Sequence, residues 1–281
     1  MTDPVAHAAT SLADAALAII AKYSACKWEL ADGHTDYMLG APATAGQVVR
    51  AVSDSGYGSS AGNAMEMINW INKDSGAAGP MSPPVMRVTN GKKNSDHSVP
   101  ESFGFWCKKS ARMAGVQPNP RNRVPYNIED AHFAIAALSV PAASNTGVLF
   151  QASKTEDLQL SELGFTNGQP RARWIDAKGL TVQLLAPAKL AVNTPAVLAL
   201  TSVAGAQKLR LNSAEVASGA ATFAPSAFSQ MLMGCGYVSY YPREGFRGNL
   251  YAVIAGKGAP TAAELAVLEQ YLAGTAGVTL K

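Results

Sequence analysis

In this 281-residue chain, the pattern closest to a catalytic one is Gly58-Ser59-Ser60-Ala61-Gly62. It matches the Gly-x-Ser-x-Gly spacing that places a nucleophilic serine on a sharp turn between a strand and a helix. Its flanks are Ser, Gly and Asn where an apolar strand and a helix are needed. A flexible Gly/Ser loop is therefore the preferred reading, and a serine hydrolase acting through Ser60 is the outlying one. The histidines His7, His34, His97 and His132 stand at no metal-ligand spacing with one another or with Cys26, Cys107 and Cys235. His97, next to Asp96 and close to Asn94, reads as an exposed polar turn. Aromatic residues supply the remaining candidate: Tyr237, Tyr240, Tyr241 and Phe246 gather around Pro242 between two expected strands. Exposed, such rings stack on sugars or on another protein, and buried they are core. The close pair Gly234 and Gly236 favours core or subunit contact over sugar.

The elements that must hold these groups come from a turn-rich composition. Hydrophobic residues make up 48%, charged residues 15%, and there are 25 Gly and 16 Pro, enough apolar surface for a sizeable core. A net charge of +3 is too small to grip a phosphate backbone, so no nucleic-acid partner is expected. Lys108, Lys109, Arg112, Arg121 and Arg123 read as a solvated basic loop. The three separated cysteines fit reduced, mostly buried thiols made in a reducing compartment. The longest apolar stretch, 15–21, is far short of a bilayer span and has no basic region before it, which argues against membrane insertion and a signal peptide.

Along the chain, Ser11 with Asp14 marks a helix start, and Leu12, Ala16, Ile19, Ile20 and Tyr23 recur at helical spacing. This helix packs either on its own domain or into a neighbouring subunit, with Leu12, Ile19, Ile20 and Tyr23 as the docking or oligomer contacts. Residues 28–125 are broken by Gly, Pro, Ser, Asn and Asp, leaving short strands at 48–52, 85–88 and 102–107, with 65–71 open between helix and strand. After Pro125, short strands recur at 131–138, 148–151, 158–163, 172–175, 180–185, 197–202, 207–211, 231–237 and 249–255 without interposed helices. That order predicts an antiparallel sandwich or barrel. Asn167-Gly168 and Asn212-Ser213 are hairpin-turn pairs. Thr261 with Glu264 forms a capping box, Leu265, Leu268 and Leu272 follow at helical spacing, and Gly274 stands where a C-terminal cap belongs. The chain divides into a helical docking segment 1–27, a loop-rich part of the sandwich 28–125, and a core with its terminal helix 126–281.

The ordered segments HFAIAALSV, GVLFQAS, RARWID, VLALTSVAGAQKLRLNSAEVAS, MLMGCGY and GFRGNLYAVIAGKGAPTAAELAVLEQYLAGTAGV resemble the laminin-G-like, concanavalin-A-like jelly roll. The closing GKGAPTAAELAVLEQYLAGTAGV, 256–278, is similar to the ends of such proteins encoded by tailed bacteriophages and prophages. The resemblance covers about 101–281, and VSDSGYGSSAGNA at 52–64 is a counterpart of a turn-rich element in the phage relatives. In KLRLNSAEVAS, Ser213 stands where the family has glycine. The resemblance implies an all-β, antiparallel jelly-roll sandwich with a short helix at each end. It also implies a Ca²⁺ site of loop oxygens, for which Asp54, Asp96 and Asp176 are the candidate donors, and no other cofactor. The Glu-x-Asp-x-x-Glu strand of the glucanase branch is missing, which points away from an enzyme. The implied function is a virion structural or adhesion protein, in a tail fibre, a baseplate or a capsid decoration. It would be assembled in the bacterial cytoplasm, homo-oligomeric, and in contact with other virion proteins and a cell-surface glycan. The alternative is a stand-alone carbohydrate-binding module.

Overall fold

The computed structural model describes residues 11–35, 39–56, 65–67, 84–97, 105–108, 130–153, 160–203, 205–223, 230–238 and 241–280. The first elements are α1 (Leu12–Lys22), β1 (Cys26–His34), β2 (Ala51–Asp54), β3 (Met65–Met67), β4 (Val85–Thr89), β5 (Lys92–Asp96) and β6 (Phe105–Lys108). They are followed by β7 (His132–Ser139), β8 (Gly147–Ser153), β9 (Leu160–Thr166), β10 (Gln169–Ile175), β11 (Thr181–Leu185), β12 (Ala196–Val203), β13 (Ala206–Leu211) and β14 (Ala214–Ala220). The last are β15 (Gln230–Met233), β16 (Gly236–Val238), β17 (Tyr241–Arg243), β18 (Asn249–Lys257) and α2 (Ala262–Ala276).

Antiparallel pairing joins the strands in the order β11-β10-β9-β8-β15-β6-β3-β2-β1-β18-β7-β12-β13-β14, with the β4–β5 hairpin attached to β18. Register slips between Trp28 and Gly33, where β1 meets β2. Such a bulge bends a sheet, and the two arms of the path face each other, so that β10 and β11 lie against β13 and β14. The result is the antiparallel jelly-roll sandwich that the strand order predicted. Between the arms, a core of Trp28, Leu30, Phe105, Phe150, Phe165, Leu198, Leu232 and Val253 is shut off from solvent.

Period-two alternation serves two cores at once. On β7, Ala134, Ala136 and Leu138 face the inter-sheet core, whereas Phe133, Ile135 and Ala137 face outward beneath the helices. Every residue of β7 is therefore buried, the pattern of a strand covered on both faces. The cover is α1 with Ala16 and Ile20, and α2 with Leu265, Leu268, Leu272, Ala273 and Ala276. Ser11 caps α1 by accepting from the Asp14 amide at 3.1 Å. In α2, Thr261 Oγ1 accepts from the Glu264 amide and Glu264 returns the bond to the Thr261 amide at 2.8 Å.

Three expectations change. The helix α1 docks on its own sandwich: Ile20 is buried, Ile19 packs against the same cluster, and Tyr23 sets its ring edge on Phe133 at 5.8 Å. Of the four proposed docking contacts only Leu12 stays open, at 42% exposure. The C-terminal cap of α2 is Gly277, in the left-handed region at φ 74°, while Gly274 lies inside the helix. Finally, the segment that begins the loop-rich part holds a central strand, because β1 lies between β18 and β2.

Candidate functional site

Among the described residues, a cluster of two arginines and two glutamates is built on the β9–β10 hairpin and the segment after β17. Asn167 and Gly168 both take positive φ, 50° and 79°, the conformation a two-residue hairpin loop needs. No other residue fits at 168, where a Cβ would lie 2.2 Å from the Ala143 carbonyl oxygen. The turn pairs Arg171 with Gly164 and Arg173 with Glu162. Alternation then sends Ala172, Trp174, Leu163 and Phe165 into the core and puts Glu162, Arg171 and Arg173 together on the other face.

Glu244, just past β17, completes a ring. Arg171 Nη2 donates to Glu162 and to Glu244, each at 2.5 Å, and Arg173 donates to Glu162 at 2.5 Å and to Glu244 at 3.0 Å. Glu162 has no exposed surface and the Arg171 side chain 3%, whereas Glu244 is 30% exposed. Burial pushes the Glu162 carboxyl above its usual range against the pull of Arg171 and Arg173. At Glu244 burial acts in the same sense, but the bonds and charges of the two arginines outweigh it and hold that carboxyl below its usual range. Glu244 adopts φ 49°, a left-handed conformation costing a non-glycine residue on the order of 1 kcal/mol.

Beside the ring lies an open recess of about 580 Å³ lined by Pro141, Ala142, Ser144, Asn145, Thr146, Glu244, Gly245 and Arg247. Its walls are braced to each other. Asn145 Nδ2 donates to the Arg247 carbonyl. The Gly168 amide donates to the Asn145 carbonyl at 2.6 Å, the Asn167 amide to Thr146 Oγ1 at 2.9 Å, and the Val148 amide to the Glu244 carbonyl at 2.9 Å. The β7–β8 loop, the β9–β10 turn and the segment before β18 are thereby locked into one preformed surface carrying hydroxyl, amide, carboxylate and guanidinium groups.

Few of the residues singled out in the sequence come to this surface. Tyr237 and Tyr241 sit on β16 and β17, paired with Pro242 and Val238 respectively, so their hairpin leads directly into Glu244. Tyr240 and Ser60 lie outside the described residues. Phe246 is a correction: it is fully buried, packed on Phe165 at 5.6 Å and His97 at 5.7 Å, and offers no face to a ligand. His97 is likewise buried, with its Nε2 3.0 Å from Ser95 Oγ, where an exposed turn was expected. The three aspartates serve separate local roles. Asp54 accepts from the Lys27 and Gly56 amides, Asp96 pairs with Arg87 at 3.2 Å, and Asp176 accepts from the Lys178 and Leu180 amides. Among the described residues no group of three or more His, Cys, Asp or Glu side chains could hold a metal.

Reading along the chain missed the ring because Arg171 and Arg173 alternate with apolar residues like any solvated strand face, and Glu244 is 73 and 71 residues away. Half of it was within reach. Counting outward from Asn167-Gly168 places Glu162 opposite Arg173.

No family model matches the chain and no curated protein matches it. Solved structures that do match include the CBM40 carbohydrate-binding module of the IT-sialidase of Ruminococcus gnavus bound to α2,3-sialyllactose, at 14% identity and TM-score 0.44, over 52% of this chain and 92% of that one. Domain 4 of AbnA, an extracellular GH43 arabinanase from Geobacillus stearothermophilus, in complex with arabinotriose, matches at 13% identity and TM-score 0.46, over 67% of this chain and 82% of that one. The NanB sialidase from Streptococcus pneumoniae matches at 16% identity and TM-score 0.44, over 49% of this chain and only 23% of that one. These likenesses assign neither a ligand nor a residue role to this chain.

Proposed function

We propose that this chain is a non-enzymatic, lectin-like sandwich that binds a glycan in the recess beside the Arg–Glu ring. One observation carries the reading: three chain segments are hydrogen-bonded into an open, preformed recess whose lining offers Ser144, Asn145, Thr146, Glu244 and Arg247. Small-molecule sites are concave and largely preformed, with a few placed polar groups setting specificity, and a sugar presents the hydroxyls those groups can bond. A binding role in place of catalysis is supported by the ring's buried carboxylate. Glu162 has no exposed surface and accepts from both arginines, which keeps it from a bound sugar as a general acid or base.

The setting proposed for this module is the particle of a tailed bacteriophage, where it would face a host surface and contact other virion proteins. The resemblance of 256–278 to phage-encoded chain ends motivates this, and Leu12 and Leu17 of α1, at 42% and 43% exposure, are available for a neighbour.

Glycan-array screening of the intact chain tests the binding reading. Specific binding that weakens in Arg247→Ala with the melting temperature unchanged is the expected result, and a blank array for the folded wild-type chain overturns it. Immunogold electron microscopy tests the setting: particles that carry no label on this chain overturn the virion role.

A further inference from the structure

We propose that Arg171 and Arg173 form a carboxylate subsite that Glu244 occupies in the free protein, and that an acidic sugar bound in the recess takes Glu244's place on the two guanidinium groups. The inference rests on the recess being the glycan site and adds the class of glycan.

Arginine forks match planar carboxylates, and the ring contains two such carboxylates in unequal situations. Glu162 is carried by a strand, is fully buried, and sits opposite Arg173 in the ladder. Glu244 is carried by a connecting segment, is 30% exposed, and lines the recess. Only Glu244 can leave without breaking the sheet. Its carbonyl is fixed by the Val148 amide at 2.9 Å, so a rotation of its side chain is enough to clear the arginines. A non-glycine residue in the left-handed region is uncommon, and such residues concentrate at ligand clamps and switches.

Charge accounting selects the incoming group. With Glu244 swung away, Arg171 and Arg173 keep Glu162 as their single counter-ion, one positive charge in excess. Arg247, on the recess wall, has no ion pair among the described residues and adds a second cation at the entrance. Arg171 Nε is buried without a hydrogen-bond partner, so the pair has donor capacity that Glu244 does not use. A sugar carboxylate supplies the charge and planar geometry of the group it replaces, and the Ser144 and Thr146 hydroxyls lie on the same recess to meet the ring.

The test compares wild type with Glu244→Gln on an array of uronic-acid-bearing, sialylated, sulfated and neutral glycans, with affinities for the best ligand measured by titration calorimetry. Expected are binding confined to carboxylate-bearing glycans and an affinity at least about tenfold tighter in Glu244→Gln, because an open state populated at about 10% or less weakens apparent binding by that factor. Arg173→Gln should abolish binding, and Arg247→Gln should weaken it while Glu244→Gln confirms that the fold tolerates changes at the ring. Binding of neutral or sulfated glycans equal to that of carboxylate-bearing ones overturns the inference and leaves the glycan reading standing. Unchanged or weaker affinity in Glu244→Gln also overturns it. Absence of binding to every class overturns both.

Discussion

Glu269 of α2 is fully buried and accepts two hydrogen bonds from Arg210 of β13, at 2.8 Å from Nε and 3.1 Å from Nη2. This pair ties the terminal helix to a strand near the edge of the sheet it covers. Arg210 Nη2 also donates to the Ser213 carbonyl at 2.5 Å, so helix, strand and hairpin turn are joined through one guanidinium. Removing one partner of a buried ion pair strands the other charge at a cost of about 3–5 kcal/mol, whereas replacing both with apolar residues is often neutral. Glu269→Ala should therefore lower stability by about 3 kcal/mol in denaturant unfolding, and Arg210→Met combined with Glu269→Leu should recover most of that loss. A double variant no better than Glu269→Ala would contradict this account.

The turn that Arg210 braces contains a second test. Asn212 and Ser213 have φ 49° and 69°, both in the left-handed region, and Ser213 has no glycine-like freedom to be there. Ser213→Gly relieves that strain but adds unfolded-state entropy, for a net gain of about 0.5–1 kcal/mol. A melting temperature raised by about 2 °C is expected, and a lower one would show that the Ser213 side chain contributes more than its backbone costs.

What could be read along the chain and what could not separate on the same physical ground. Strands such as β7 and β18 were legible because burial on both faces gives them uninterrupted apolar runs, and the Asn167-Gly168 and Thr261/Glu264 signals are local chemistry. The central strand β1 was hidden. Its Lys27 and Glu29 look like a solvated alternation, yet Lys27 is 7% exposed, and the two bond each other and Tyr271 of α2 at 2.5–2.9 Å. Tyr271 lies 244 residues from Lys27. The same holds for the ring, whose defining contact joins Arg171 to Glu244 across 73 residues. Charges satisfied by distant partners carry no local mark of burial.

Stability should fall in mild acid because of His132. Its ring is fully buried, with Nδ1 2.7 Å from the Asp130 carbonyl and Nε2 2.8 Å from Ser161 Oγ. The carbonyl can only accept, which puts the proton on Nδ1 and leaves Nε2 to accept from the serine. Burial lowers the pKa from 6.5 to about 4, against the weaker raising effect of the Asp130 bond. Between those values the unfolded chain binds a proton that the folded chain does not. Stability is therefore full above pH 6.5 and is lost progressively as pH falls from 6.5 toward 4, by about 3 kcal/mol. Denaturant titrations at pH 7.5 and pH 4.5 check this, with His132→Asn expected to flatten the difference. A His132→Asn variant as acid-sensitive as wild type would assign the effect to other groups.

Phe246 distinguishes a core role from a ligand-stacking role although it lies between two recess residues, Gly245 and Arg247. Its ring has no exposed surface and packs on Phe165 and His97. Phe246→Ala empties that volume and should cost about 3–5 kcal/mol. Phe246→Leu keeps most of the apolar contact and should cost about 1 kcal/mol. Because the ring never reaches the recess surface, the folded Phe246→Leu protein should bind glycan as wild type does. Loss of binding in that variant with stability retained would mean the ring acts on the ligand directly, contrary to its burial.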